Sequence, residues 1–114
     1  MLDKKFRLRK QKDFEKMFTG GIYLSCDFLA LKAIKNDLSI SRFGFIVSNK
    51  VSKSAIVRNK MKRRLRESVR RIQEKVREGF DCLFISKQGI AEKESAEIKV
   101  AVEKLLKRSG ILNK

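Results

Sequence analysis

A chain of 114 residues with 42% apolar content can bury one core and has no room for a second, so it reads as a single globular domain over residues 1–114. Its 29 Lys plus Arg against 13 Asp plus Glu leave a net charge of +16, and so one-sided a balance implies a polyanionic partner. Apolar residues run from Phe6 to Leu112 without a low-complexity tract, which argues against a disordered polybasic tail, and the longest apolar runs are too short to cross a bilayer.

In chain order, a basic lead (Lys4, Lys5, Arg7, Arg9, Lys10) precedes Phe14 and Phe18, whose i, i+4 spacing beside Met17 predicts a short helix with an aromatic edge, stopped by Gly20 and Gly21. Ile22 to Ile34 is rich in β-branched, aromatic and leucine residues, ends in the turn formers Lys35, Asn36 and Asp37, and is followed by Arg42 to Ser48. These two segments read as strands of a hairpin. From about Ile56 the period changes, with Met61, Leu65, Val69, Ile72 and Val76 on one stripe of a long amphipathic helix and Gly79 as its C-cap. Phe80 to Ser86 is almost wholly apolar, as suits a strand covered on both faces and parallel to a neighbour through the helical crossover. Ile98, Ala101, Val102, Leu105 and Leu106 give a last amphipathic helix closing near Gly110. Helix, strand, strand, helix, strand, helix describes an α+β sandwich with helices packed on a mixed sheet.

The long helix concentrates the charge. Ten Lys or Arg fall between Arg58 and Arg77, against Glu67 and Glu74 alone. At about 100° per residue from Arg58, the apolar stripe centres near about 340°, while Lys62, Arg66, Asn59, Arg70 and Arg63 fall between about 40° and 140°. One flank is therefore a cationic strip beside the core seam. Arginine forks suit phosphates, and Asn59 can hydrogen-bond a phosphate or a 2′-hydroxyl. A solvated helix surface would mix signs more evenly. Phe14 and Phe18 are either core residues or stacking platforms for unpaired bases, and the sequence leaves both open.

Protein-borne catalysis has little to work with. The chain holds no His, its carboxylates are spread over different elements, and no glycine-rich phosphate loop or CxxC pair is present. Neither a metal site nor a small-molecule substrate is expected on the protein. Cys26 and Cys82 lack a paired spacing and no secretory signal follows Met1, so a reducing cytoplasm is expected, with no membrane partner.

Arg58, Asn59, Lys62, Arg63 and Arg66 form an R-N-x-x-K-R-x-x-R pattern that resembles the signature of the bacterial ribonuclease P protein subunit. The preceding Gly44 to Lys50 segment is similar to that family's strand leading into the signature, and Phe14 and Phe18 to the aromatic pair on its first helix. The resemblance covers essentially the whole chain. It implies a four-stranded α+β fold with a left-handed βαβ crossover, against the usual handedness rule. The fourth strand would be a piece of Ile22 to Ile34 or of the Lys50 to Ser54 connection.

The resemblance also implies an accessory role in a ribonucleoprotein endoribonuclease, whose catalytic RNA removes the 5′ leader of precursor tRNA with Mg2+ bound mainly by RNA. Carried over, Arg58, Asn59, Lys62, Arg63 and Arg66, with Arg70 beside them, would contact the RNA subunit. Phe14, Phe18, Lys50 and Lys53 would border the leader channel. Leu31 stands where some relatives carry a leader-contacting aromatic. The competing reading is a structural RNA-binding protein such as a small ribosomal protein; a major-groove DNA reader is weaker, because no partner helix of a helix-turn-helix precedes Arg58.

Overall fold

Three segments of strong β propensity and three of helical period dominate the chain, and the computed structural model, which describes residues 3–112, resolves them into four strands and three α-helices. In order these are α1 (Gln11–Lys16), β1 (Ile22–Ser25), β2 (Leu29–Lys35), β3 (Arg42–Ile46), α2 (Ala55–Ile72), β4 (Phe80–Ser86) and α3 (Ser95–Arg108). The sheet order is β1-β2-β4-β3, antiparallel except for the parallel β3/β4 pair that α2 connects. The expected parallel crossover and mixed sheet are therefore present.

Ile22 to Ile34 is not one strand. It breaks at Cys26 to Phe28 into the β1/β2 hairpin, which supplies the fourth strand. Gly21 belongs to this hairpin rather than to a helix stop: at φ +90° it passes so close to β2 that a Cβ would lie 2.2 Å from the Ala33 carbonyl oxygen.

Nor do the Ile22 to Ile34 and Arg42 to Ser48 segments form a hairpin with each other, because β4 lies between β2 and β3. The connection is shaped around Asn36 instead. Its side-chain amide donates to the Ile40 carbonyl (3.1 Å) and to Asp81 of β4 (2.8 Å), while its amide oxygen accepts from the Leu38 backbone (2.8 Å). Those bonds carry the chain past the start of β4. The most apolar strand thus takes a central position, with ladders on both sides.

α2 starts at Ser54, whose hydroxyl accepts from the Val57 backbone N–H, and its buried stripe is Met61, Leu65, Val69 and Ile72. It ends sooner than its periodicity predicts. Gln73–Lys75 tighten into a 3₁₀ turn, Val76 bridges to Leu112, and Gly79 lies in the turn before β4 rather than at the helix cap. α3 opens with a reciprocal Glu94/Glu97 capping box and buries Ile98, Ala101, Val102, Leu105 and Leu106.

The main core lies between one sheet face and these two helices, uniting Leu29, Leu31, Phe43 and Phe84 with Met61, Leu65, Val69, Ile98, Val102 and Leu105. Each fully buried side chain of this size contributes about 1.5–3 kcal/mol relative to exposure. A smaller cluster on the opposite face joins Leu8, Met17 and Leu83 with half-buried Phe14, Ile34, Ile46 and Ile85. Cys26 and Cys82 are free thiols, and burial pushes the Cys82 thiol far above its ordinary value.

Candidate nucleic-acid interface

Strand alternation and register place Tyr23, Lys32, Leu83 and Gly44 in one row across the face opposite the main core, with Ser25, Ala30, Ile85 and Ile46 in the next. α1, six residues long, covers only part of this face. Its approach depends on Gly44: a Cβ there would meet Phe14 Cε1, Leu8 Cδ1 and Leu83 Cδ1, each at 3.1 Å. A polar latch holds the helix. Arg42 of β3 reaches Asp13 of α1 at 3.3 Å and Asp81 of β4 at 2.7 Å, and Asp81 is only 1% exposed. The hydrogen bond to Asp81 is the largest influence raising the Arg42 pKa.

The two phenylalanines do not share a helix face. α1 ends at Lys16; the following turn buries Met17 completely and leaves Phe18 63% exposed, whereas Phe14 is half-buried against Gly44. The i, i+4 spacing therefore misplaces Phe18, because the helix is too short to reach it. Leu31 lies wholly in the main core, on the other side of the sheet. Tyr23, 56% exposed, and Lys32 also occupy the open face, beyond the residues that the sequence pattern indicates. Their signal is the alternation Tyr23-Leu24-Ser25, which the continuous β propensity of Ile22 to Ile34 masks.

On α2, half-buried Lys62 and Arg66 flank the core seam as the periodicity predicts, and Asn59 and Arg63 are exposed. Arg58 turns back to donate to the Ser52 carbonyl (2.9 Å), which ties the loop carrying exposed Lys50 and Lys53 to the helix start. Arg70 stands apart from the other predicted contacts, since it forks onto Glu67 (2.6 and 3.0 Å), with Arg71 at 3.6 Å from the same carboxylate. The Arg70 hydrogen bond lowers the Glu67 carboxyl to about 2. Arg64 faces α3 and donates to the Lys93 carbonyl (3.1 Å).

Arg7 and Arg9 belong to the basic lead of the sequence. Arg7 forms a parallel bridge to Phe43, and the Leu8 backbone N–H donates to the Phe43 carbonyl at 2.7 Å, so this segment lies along the free edge of β3. The Arg-Leu-Arg alternation about buried Leu8 was the available sign. Arg7 and Arg9 meet Lys62 and Arg66 in a notch of about 350 Å³ with Phe14 and Gly44 on its wall.

Among the described residues, no group of three His, Cys, Asp or Glu side chains could hold a metal ion, and no helix is long and apolar enough to cross a membrane.

A sequence model of the family described as Ribonuclease P matches residues 2–110. The chain is 35% identical to the ribonuclease P protein component of Caldanaerobacter subterraneus subsp. tengcongensis, over 97% of this chain and 95% of that one. It is 38% identical to the corresponding protein of Clostridium botulinum strain 657, over 96% and 99%. Among solved structures it resembles the RNase P protein of Staphylococcus aureus (TM-score 0.86, 25% identity, 95% of this chain and 98% of that one). It also resembles that of Thermotoga maritima (TM-score 0.81, 32% identity, 90% and 96%).

Proposed function

The chain belongs to the ribonuclease P protein family, and on that premise we propose a division of labour between its two RNA-facing surfaces. It is the protein subunit of the endoribonuclease ribonuclease P, which separates it from the structural ribosomal proteins that its charge would equally admit. The α2 flank of Arg58, Asn59, Lys62, Arg63 and Arg66, with Arg70 at its margin, binds the catalytic RNA. The open sheet face beside α1 receives the unpaired 5′ leader of precursor tRNA, bordered by Phe14, Phe18, Lys50 and Lys53. Tyr23 and Lys32 extend the same surface.

The observation that carries this reading is an incompletely covered sheet face, with Tyr23 exposed on it and Phe18 exposed in the turn after α1, adjoining a cationic helix flank. Single strands are held by that combination, through stacking that tolerates any base and charge that follows the backbone. Asp13 and Asp81 are both engaged by Arg42, and no group of three His, Cys, Asp or Glu among the described residues could hold a metal ion. On this reading hydrolysis belongs to Mg2+ held by RNA, which would supply the activated water, while this chain's residues bind and orient the leader and reduce repulsion between the two RNAs. The whole chain acts as one RNA-binding domain, in the cytoplasm.

The test is reconstitution. The protein alone should cleave nothing; added to ribonuclease P RNA it should restore leader removal at Mg2+ concentrations where the RNA alone is slow. Cleavage by the protein without RNA would overturn the assignment.

A further inference from the structure

Toward the end of α2 the surface beside the helix changes sign. A cleft of about 530 Å³ opens between the last turn of α2, the Gln73–Lys75 turn and the β2/β3 connection, and Glu74 and Glu78 line it together with Arg70. Two carboxylates make it a poor phosphate site, yet it adjoins the cationic flank. Phe43 lines both this cleft and the notch that holds Lys62 and Arg66, and Arg70 follows Arg66 by about one helical turn, roughly 6 Å. A strand whose phosphates lie on that flank therefore brings a neighbouring base within reach of the cleft. Its walls are fixed in advance. Ser41 donates to the Arg77 carbonyl (2.5 Å) and accepts from the Phe80 N–H (3.0 Å), Asn36 donates to the Ile40 carbonyl (3.1 Å), and Phe6, Ile40 and Val76 give apolar surface.

The polar groups of the cleft suit a base better than an anion. Glu67 takes the Nε and Nη2 donors of Arg70 (3.0 and 2.6 Å) and so holds the guanidinium as an oriented plane, and such planes stack on unpaired bases. Among the described residues, the side chains of Ser39, Gln73 and Glu74 are engaged by no hydrogen bond or ion pair. A carboxylate accepts two parallel N–H bonds, and guanine alone of the four RNA bases presents two adjacent donors, N1–H and the N2 amino group. On adenine, cytosine and uracil an acceptor stands beside the donor and would face the carboxylate. We propose that this cleft is a base-reading pocket for one unpaired guanine, stacked on Arg70 and read by Glu74. The guanine belongs to the RNA strand bound along α2, and that attribution alone rests on the proposed function.

Two measurements test the pocket. The free chain is titrated with a short single-stranded RNA of uridines carrying one central guanine, beside the all-uridine strand of the same length and charge. The guanine strand should bind about tenfold more tightly, and Glu74→Gln should remove that preference. Inosine in place of the guanine, which keeps N1–H and lacks the N2 amino group, should lose part of it. Equal affinities for the two strands, or a preference that survives in Glu74→Gln, overturns the pocket. In the reconstituted holoenzyme the sign of the effect decides. Glu74→Gln deletes a negative charge, so if Glu74 reads no base the variant should bind the RNA subunit as tightly or more tightly. The pocket predicts the opposite: affinity for the RNA subunit about tenfold weaker, with the salt slope unchanged because no phosphate contact is lost. A loss seen only with leader-bearing precursor tRNA would leave the pocket standing and overturn the placing of its strand on α2. Affinity unchanged or raised for both RNAs overturns the pocket itself.

Discussion

The two faces of the sheet follow different rules. Beneath α2 and α3, Leu29, Leu31, Phe43 and Phe84 are at most 1% exposed and meet helices 18 and 14 residues long, each with a complete apolar stripe. On the other face a helix of six residues covers part of the surface, and its polar hold on the sheet is one arginine bridging two aspartates. Tyr23 and Phe18 stay more than half exposed beside it. Burial is thus concentrated on one face, and the other keeps exposed apolar and aromatic surface, for which the proposed leader binding would supply a use. Substitutions on the two faces should therefore fail in different ways.

The largest effect is expected from the covered face. Leu65, wholly buried, should cost about 2–5 kcal/mol when changed to Ala, measured by denaturant unfolding, with leader discrimination retained in whatever fraction is folded. A loss well under 1 kcal/mol would mean that α2 is not seated on the core as described.

Arg42→Met should come next and should cross the divide. It removes charged hydrogen bonds worth about 1.5–3 kcal/mol apiece, of which only part is expected because the Arg42 side chain is 22% exposed, and it leaves Asp81 buried without its cation. Because the same residue anchors α1 through Asp13, leader-bearing precursor tRNA should lose affinity more than mature tRNA. Equal losses would make the latch structural only.

The smallest effect is expected from Arg70, at the margin of the cationic flank of α2. Arg70→Ala removes a cation already paired with Glu67, whose carboxyl, lowered to about 2, stays ionised at any neutral assay pH. Its RNA-subunit affinity should fall less than that of Arg66→Ala, and its salt slope should change by less than the roughly 0.7–0.9 expected for a full phosphate contact. A loss matching that of Arg66→Ala would erase the distinction between Arg66 and the carboxylate-held Arg70.

What the sequence made legible follows the same division. The covered face announced itself: the Met61, Leu65, Val69, Ile72 stripe and the apolar Phe80 to Ser86 run lie where period and propensity put them, since burial there is dictated by composition alone. The open face depended on pairing that local pattern does not encode. The insertion of β4 between β2 and β3 is set by the crossover and by Asn36, which reaches Asp81 far along the chain. The early end of α1 likewise decides that Met17 is buried and Phe18 is not. Cations could be counted from the sequence, and the i, i+3 spacing of Glu67 and Arg70 allows their pairing on one helix. That Arg7 and Arg66 have unsatisfied Nε atoms is visible only once the helix, the N-terminal segment and β3 are assembled.

Phe18 offers the most direct test of the leader surface, because at 63% exposure its truncation should leave the thermal melt unchanged. Stacking one base on such a ring is worth about 1–3 kcal/mol. Holoenzyme reconstituted with Phe18→Ala should therefore bind leader-bearing precursor tRNA about 5- to 150-fold more weakly and mature tRNA as before. Equal losses for the two RNAs, or no loss for either, would contradict the assignment of the open sheet face to the leader.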